Sequence, residues 1–484
     1  MGKVMGVGED AMRTIPEQGF GQWARRVGTF CAIAASVHSI DGAAQSATQV
    51  APPAAAPAAA QQSAPAAPVA AQTAQAAAQA PAPTGWFSQA TMTGDWGGAR
   101  TSLKDFGITT RGFYWDEFAA NPIGGRRQGH SNAQQLGLAA DFDMGKLAGW
   151  SGGTFHIALS NRWGASDSAK YVGNALEDQS DFGAGQNIRL AQLSYEQLLA
   201  DGKVDLQFGF MADFGYSFGF SFLLCDFQNV GFCAHPFILY RDSGATAYPT
   251  AQWGAMVKYN IASNQYVETG AFEVNPSRLD HQNGFNMSLH GTTGKLYPLE
   301  YGVTTALGSD QLPGHYKFGG YYDSSSVNDA AYADLRRTGR YGVYALVDQM
   351  LFRLQPDTDR GLIAFAQGTR SDKRTSPLPF SLNAGLILQG PFASRPADYL
   401  AFGVVYEPLN RRVYNAQRDR LFQQEALDPS LYHGETDMEL GYGLSLAPWL
   451  MINPNVQYMI HPGAFTYTQG KNALVVGVQA KVLF

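Results

Sequence analysis

Segments of roughly ten residues in which apolar and polar side chains alternate recur from about Ile108 to the end of the chain. A period of two is the signature of a strand with two different faces, and its repetition limits the fold more than any other feature here. From Glu435 to Leu446, Thr436, Met438, Leu440, Tyr442, Leu444 and Leu446 make one face. Glu435, Asp437, Glu439, Gly441, Gly443 and Ser445 make the other. One such strand could edge a soluble sandwich, but its neighbours repeat the pattern. After the turn Ala447-Pro448-Trp449, Leu450, Ile452, Val456, Tyr458 and Ile460 face one way and Asn453, Asn455, Gln457 and His461 the other. The last segment sets Leu474, Val476, Val478, Ala480, Val482 and Phe484 against Gln479 and Lys481.

No stretch of about 18 apolar residues occurs, which excludes helical membrane spans and leaves the closed barrel as the way to cross a bilayer. Only 15% of residues are charged, against roughly 25% in an average soluble protein. Plentiful glycine and 12% aromatics suit a crowded lumen and interfacial girdles. A large secreted sandwich would share these totals, so the strand pattern carries the argument. The net charge of −6 speaks against nucleic acid as a partner.

Strand starts fall near residues 108, 135, 152, 187, 203, 251, 265, 295, 314, 340, 360, 379, 398, 434, 450 and 472, which makes sixteen. The expected fold is therefore all-β: a transmembrane antiparallel up-and-down barrel with long extracellular loops and short periplasmic turns. Long connections are expected near 119–134, 164–186, 213–250, 275–294 and 409–433, and short ones near 200–202, 261–264 and 447–449. An even strand number puts both termini in the periplasm. The chain closes on an amphipathic strand ending in Phe484, the kind of end that outer-membrane assembly machinery reads.

Arg25 and Arg26 precede a short apolar run, Val27 to Ile40, and the small residues Gly42, Ala43 and Ala44, so residues 1–44 read as a signal-peptide region. Residues 45–85, mostly Ala, Pro, Gln and Ser, lack the bulky apolar surface to order themselves and are expected to form a periplasmic tail. Residues 86–107 read as a periplasmic plug or turn segment, with Trp96 packed and Asp95 and Arg100 hydrogen-bonded. The barrel takes residues 108–484.

Gly94-Asp95-Trp96-Gly97-Gly98-Ala99-Arg100, with Leu103 and Gly107-Ile108 behind it, resembles the opening of the carbohydrate-selective porins, the OprB family. Gln252-Trp253-Gly254, Asn275-Pro276, Gly339-Arg340-Tyr341-Gly342, Ala447-Pro448-Trp449-Leu450, Gln457 to Gly463 and Asn472 to Val475 are similar to further family segments, in the same order. The resemblance covers about residues 86–484. It implies an outer-membrane channel of a Gram-negative bacterium that passes glucose-like sugars into the periplasm by diffusion, narrowed by loops folded into the lumen. The region of Phe222 to Asn229 departs from the family by carrying Cys225 with Cys233 nearby.

Sugars present hydroxyls around apolar C–H faces, so a selective pore needs charged or amide side chains and aromatic faces. Binding near millimolar, about −4 kcal/mol, lets solute enter and leave. Alternation turns Glu196, Gln207, Lys258, Glu300, Lys317, Tyr321 and Asp323 inward. The longest connection adds Asp226, Gln228, Asn229, Arg241 and Asp242, which line the constriction if it folds inward. Cys225 and Cys233 survive export into an oxidising compartment and are expected to form a disulfide that stiffens this loop.

The chain lacks a His-Glu-x-x-His motif and a paired Cys-x-x-Cys, so neither catalytic nor metal residues are expected, nor a cofactor. His156, His235, His290 and His315 read as loop or wall residues. An outer-membrane barrel enzyme and a pore for exopolysaccharide or oligosaccharide export remain alternatives. Sugars, outer-membrane lipids, lipopolysaccharide and the assembly machinery are the expected partners. Self-association is left open.

Overall fold

The computed structural model describes residues 85–212, 214, 217–232, 235–423, 433–463 and 470–484. The expected signal peptide and nearly all of the Ala/Pro-rich tail lie outside these residues. Sixteen strands follow in chain order: β1 (Ile108–Gly125), β2 (Gly129–Asp143), β3 (Gly153–Gly164), β4 (Ile188–Leu199), β5 (Val204–Met211), β6 (Gln252–Ala262), β7 (Gln265–Val274) and β8 (Gly294–Leu307). They continue as β9 (Leu312–Asn328), β10 (Arg336–Arg353), β11 (Gly361–Ser371), β12 (Phe380–Gln389), β13 (Tyr399–Pro408), β14 (Gly434–Ala447), β15 (Leu450–Ile460) and β16 (Lys471–Leu483). Each pairs antiparallel with the next, and β1 pairs with β16, so the sheet closes and leaves no edge.

The register follows the alternation. Glu439 lies opposite Gly403 and Gln457, while Leu440 lies opposite Phe402 and Val456. Polar residues thus stack on the lumen side and apolar ones on the lipid side; Leu440 is 49% exposed and Glu439 only 1%. Long connections gather at one end, among them 165–187, 212–251, 275–293 and 409–433, and turns as short as 263–264 and 448–449 at the other.

One expected loop is absent. Residues 119–134 are instead mostly strand, because β1 and β2 stay paired up to Asn121 and Gly129. Asn121 builds the tip that makes this possible: its amide donates to the carbonyls of Gly124 and Arg127, and its oxygen accepts from Gly129 N–H at 3.0 Å. Gly124 and Gly125 supply the left-handed backbone, with φ of 78° and 65°.

The segment before β1 clasps the barrel end where the C-terminal strand finishes. Trp86 packs on Trp449 of the β14–β15 turn with ring centroids 4.4 Å apart, and Met92 N–H donates to the Leu483 carbonyl. Asp95 accepts from Thr101, and Arg100 donates to Thr91 and lies over the Trp96 ring. Trp96 and Trp86 are about equally exposed, at 46% and 47%; Trp96 packs against Arg100, and Trp86 is the ring that meets Trp449.

Candidate functional site

Two long connections fold into the lumen, and inward-facing carboxylates of the wall hold them there. A carboxylate turned into a crowded lumen must regain the hydrogen bonds it had in water, and backbone N–H groups of an inserted loop supply them. Glu435 accepts from Ala175 and Leu176 of loop 165–187 and from Gly463. Glu439 accepts from the N–H groups of Gln228 and Asn229 in loop 212–251, both at 2.8 Å. Glu117 accepts from Ser180 and Asp181, and Glu300 from Gly219. Aromatic side chains complete the attachment of loop 212–251: Phe214 and Phe218 pack with Met256, Phe272 and Leu296, and Phe227 and Phe232 with Phe365 and Ile387.

This changes the role of several residues expected to line the constriction. Gln228 and Asn229 are fully buried. Gln228 donates toward the carbonyls of Phe118 and Asp178, and Asn229 bonds Asp437 and Gln457. They face the wall rather than the passage. Glu300 likewise accepts from the hydroxyls of Tyr266 and Tyr344 as well as from the loop. Arg241 grips Glu407 on β13 with two nitrogens at 2.9 and 3.1 Å, beside the buried Asp242. Tyr321 donates to the Asp242 carbonyl, Lys317 to that of Phe220, and Asp323 pairs with Arg340. Alternation identifies inward residues correctly, but it cannot tell a bare wall from one covered by a loop.

Asp226 is half-buried, and burial pushes its carboxyl up to about 7 against the pull of Lys481. Its carbonyl accepts from Tyr399 and Asn453, and the Cys225 carbonyl accepts from Lys481. Cys225 is half-buried, and Cys233, its expected bridge partner, lies outside the described residues. Wall side chains hold this stretch.

Glu196 and Gln207 stand apart from the loops. They are ladder partners on β4 and β5, and Glu196 ends a chain of charges across four strands: Arg111 to Asp141 at 2.6 Å, Asp141 to His156 at 2.9 Å, His156 to Glu196 at 3.0 Å. Gln207 donates to Ser194, and Lys258 lies over the Tyr266 ring. Neither inward loop hydrogen-bonds these side chains among the described residues. Just above them Arg162 bonds Gln135 and approaches Asp181 of loop 165–187 at 3.7 Å. The result is a stretch of alternating charge and amide groups on β1–β5, next to where loop 165–187 meets Glu117 and Arg162. Arg111, Asp141, His156 and Arg162 were missed from the sequence. Their signal was the register: the β2–β3 pairing sets Asp141 opposite His156, and the β3–β4 pairing sets Ser194 opposite His156 with Glu196 two residues on along the same face.

Loop 165–187 carries its own acidic cluster. Ser168 donates to Asp178 from both its N–H and its hydroxyl, and Ser166 donates to Glu177. Burial, reinforced by Asp167, pushes the Asp178 carboxyl from 3.8 up to about 8, and burial lifts Glu177 to about 7. The inserted loop therefore holds more protons than a released one. Its attachment is firmest in acid, weakens as pH rises from the usual carboxylate range near 4 toward 8, and changes little above that. Single-channel records should be quieter at pH 5 than at pH 8.5, and Asp178→Asn should flatten the difference. Equal noise at both pH values would rule this out.

A closed sixteen-stranded barrel with an apolar belt, a polar lumen and loops pinned across it defines an outer-membrane porin. The profile of the carbohydrate-selective porin, OprB family, matches residues 127–484. Porin B of Pseudomonas aeruginosa is 34% identical over 421 residues, covering 81% of this chain and 91% of that protein. The high-pH structure of Pseudomonas putida OprB superposes with a TM-score of 0.77 at 32% identity, covering 81% of this chain and 98% of that one. Its low-pH structure gives 0.53 at 25% identity over the same shares. The chain belongs to the OprB family of carbohydrate-selective porins.

Proposed function

We propose that this porin passes neutral, glucose-like sugars from the outside into the periplasm along the charged wall of β1–β6. The observation that carries the reading is the chain Arg111, Asp141, His156 and Glu196 with Gln207 beside it, none of which hydrogen-bonds an inserted loop among the described residues. Alternating donors and acceptors exchange with sugar hydroxyls at little net cost, and balanced charge gives a neutral solute no electrostatic barrier. Weak, multiple contacts of this kind let solute leave as readily as it enters. The terminal strand, ending in Phe484, acts in the same reading as the signal for the barrel assembly machinery.

In planar bilayers the purified protein should form small channels whose ion current falls when glucose is added. Glu196→Ala should weaken that block. A large current indifferent to sugars would leave a general porin, and no current would overturn the channel reading.

A further inference from the structure

The outer side of the extracellular rim on β9–β12 carries aromatic rings and unpaired cations together. Ladder pairing sets Tyr322 opposite Tyr341, and Arg370 between Val343 and Phe380. Their chain neighbours Tyr321, Tyr344 and Thr369 are buried on the lumen side, so alternation turns this row outward. Tyr322, Tyr341, Val343 and Phe380 are exposed there and form the upper edge of the apolar belt. Arg370 stands exposed in the same row. Just beyond it, on the tip between β11 and β12, Lys373 and Arg374 are exposed as well. Arg336 opens β10 and is also exposed, with its guanidinium on Asn328 and the Ser326 carbonyl.

Most cations of these tips already have an acid. Arg340 pairs with Asp323, Arg337 and Arg412 share Asp329, and Arg374 takes Asp372. Arg336, Arg370 and Lys373 have no carboxylate partner among the described residues. Asp334 is the one exposed acid on the β9–β10 and β11–β12 tips, so an excess of positive charge remains. A cation at the edge of an acyl layer is stable where its long stem lies on apolar surface and its head meets an anion.

We propose that this rim binds the lipid A part of lipopolysaccharide, with Arg336, Arg370 and Lys373 on its phosphates and the aromatic row against its acyl chains. Arginine's forked N–H groups match phosphate oxygens, and lysine adds a point charge. The row lies on the outer surface, away from the route of permeating solutes. Apolar surface directly below the cations suits an amphiphile better than a soluble phosphate. The site also reaches the neighbouring loops. The Lys373 carbonyl accepts from Asn410 and Arg412, and Arg412 holds Asp329 as well. A lipid seated on Lys373 therefore braces three tips at once.

Delipidated full-length protein in mild detergent, titrated with bisphosphorylated lipid A, should bind it saturably, and lipid A stripped of both phosphates should bind far more weakly. Each cation at a charged lipid surface contributes about a fivefold factor, so Arg370→Gln combined with Lys373→Gln should weaken binding about thirtyfold. Sugar-sensitive current should persist in that variant, which reports a folded barrel. Arg126→Gln combined with Lys471→Gln removes two cations from the rim across the barrel, where β1 meets β16, and should leave binding unchanged. Inorganic phosphate should not compete; full competition would assign the cations to a soluble anion and overturn the lipid site. No saturable binding by the parent protein, equal binding of the dephosphorylated lipid, or equal affinities in the two double variants would overturn it too. The comparison of the two lipids uses the parent protein and keeps the test decisive if a variant fails to fold.

Discussion

Leu440→Arg is expected to abolish most barrel assembly, while Glu439→Leu, one residue away, should assemble and leak. Leu440 faces lipid in the middle of β14, between Phe402 and Val456. An arginine near mid-bilayer costs about 2–4 kcal/mol, a large share of what a barrel gains on insertion. Glu439 faces the lumen, so its loss leaves the belt intact. What it removes is the acceptor for the N–H groups of Gln228 and Asn229, at about 1–3 kcal/mol for each group left buried without a partner. Loop 212–251 should then release and the conductance rise. Folded and unfolded barrels separate as a heat-modifiable band in gels of outer-membrane fractions, and bilayer current reports the loop. The opposite pattern would place the β14 register one residue off.

The two outcomes rest on information of different range. Which face Glu439 and Leu440 occupy was legible from local alternation, because a strand's side chains must point to opposite sides of the sheet. That Glu439 seats a loop was not legible. Its partners Gln228 and Asn229 lie some two hundred residues earlier, and only closure of the barrel brings them together. The β1–β2 tip failed for another reason: Asn121, Gly124 and Gly125 read as loop residues, yet they turn the chain tightly enough that both strands extend. His156 read as an isolated wall residue. Only the cross-strand register sets it between Asp141 and Glu196. The inward fold of loop 212–251 was expected, but the residues chosen from it for the passage proved in part to be its attachments. Polar side chains with the best hydrogen-bonding capacity were drawn to the wall, where burial demanded it.

Glu407→Ala should open the channel further than any single change in the charged wall. Glu407 is fully buried and takes both nitrogens of Arg241, so its removal strands a guanidinium inside the loop. Breaking one partner of such a pair costs about 3–5 kcal/mol, because the remaining charge keeps its desolvation without its compensation. The return arm of loop 212–251, from Phe237 to Asp242, should therefore leave the lumen. Single-channel conductance should increase and the glucose-dependent fall in current should largely disappear, with the amount of folded barrel unchanged. Removing both charges separates the pair from simple loss of packing. The double variant Arg241→Leu with Glu407→Leu strands neither group and replaces them with apolar bulk, which is often neutral for a buried pair. Its conductance should return toward the parent value. If the single and double variants leaked equally, the loop would be held by the shape of Phe227, Phe232 and their aromatic neighbours, and the ion pair would be incidental to it.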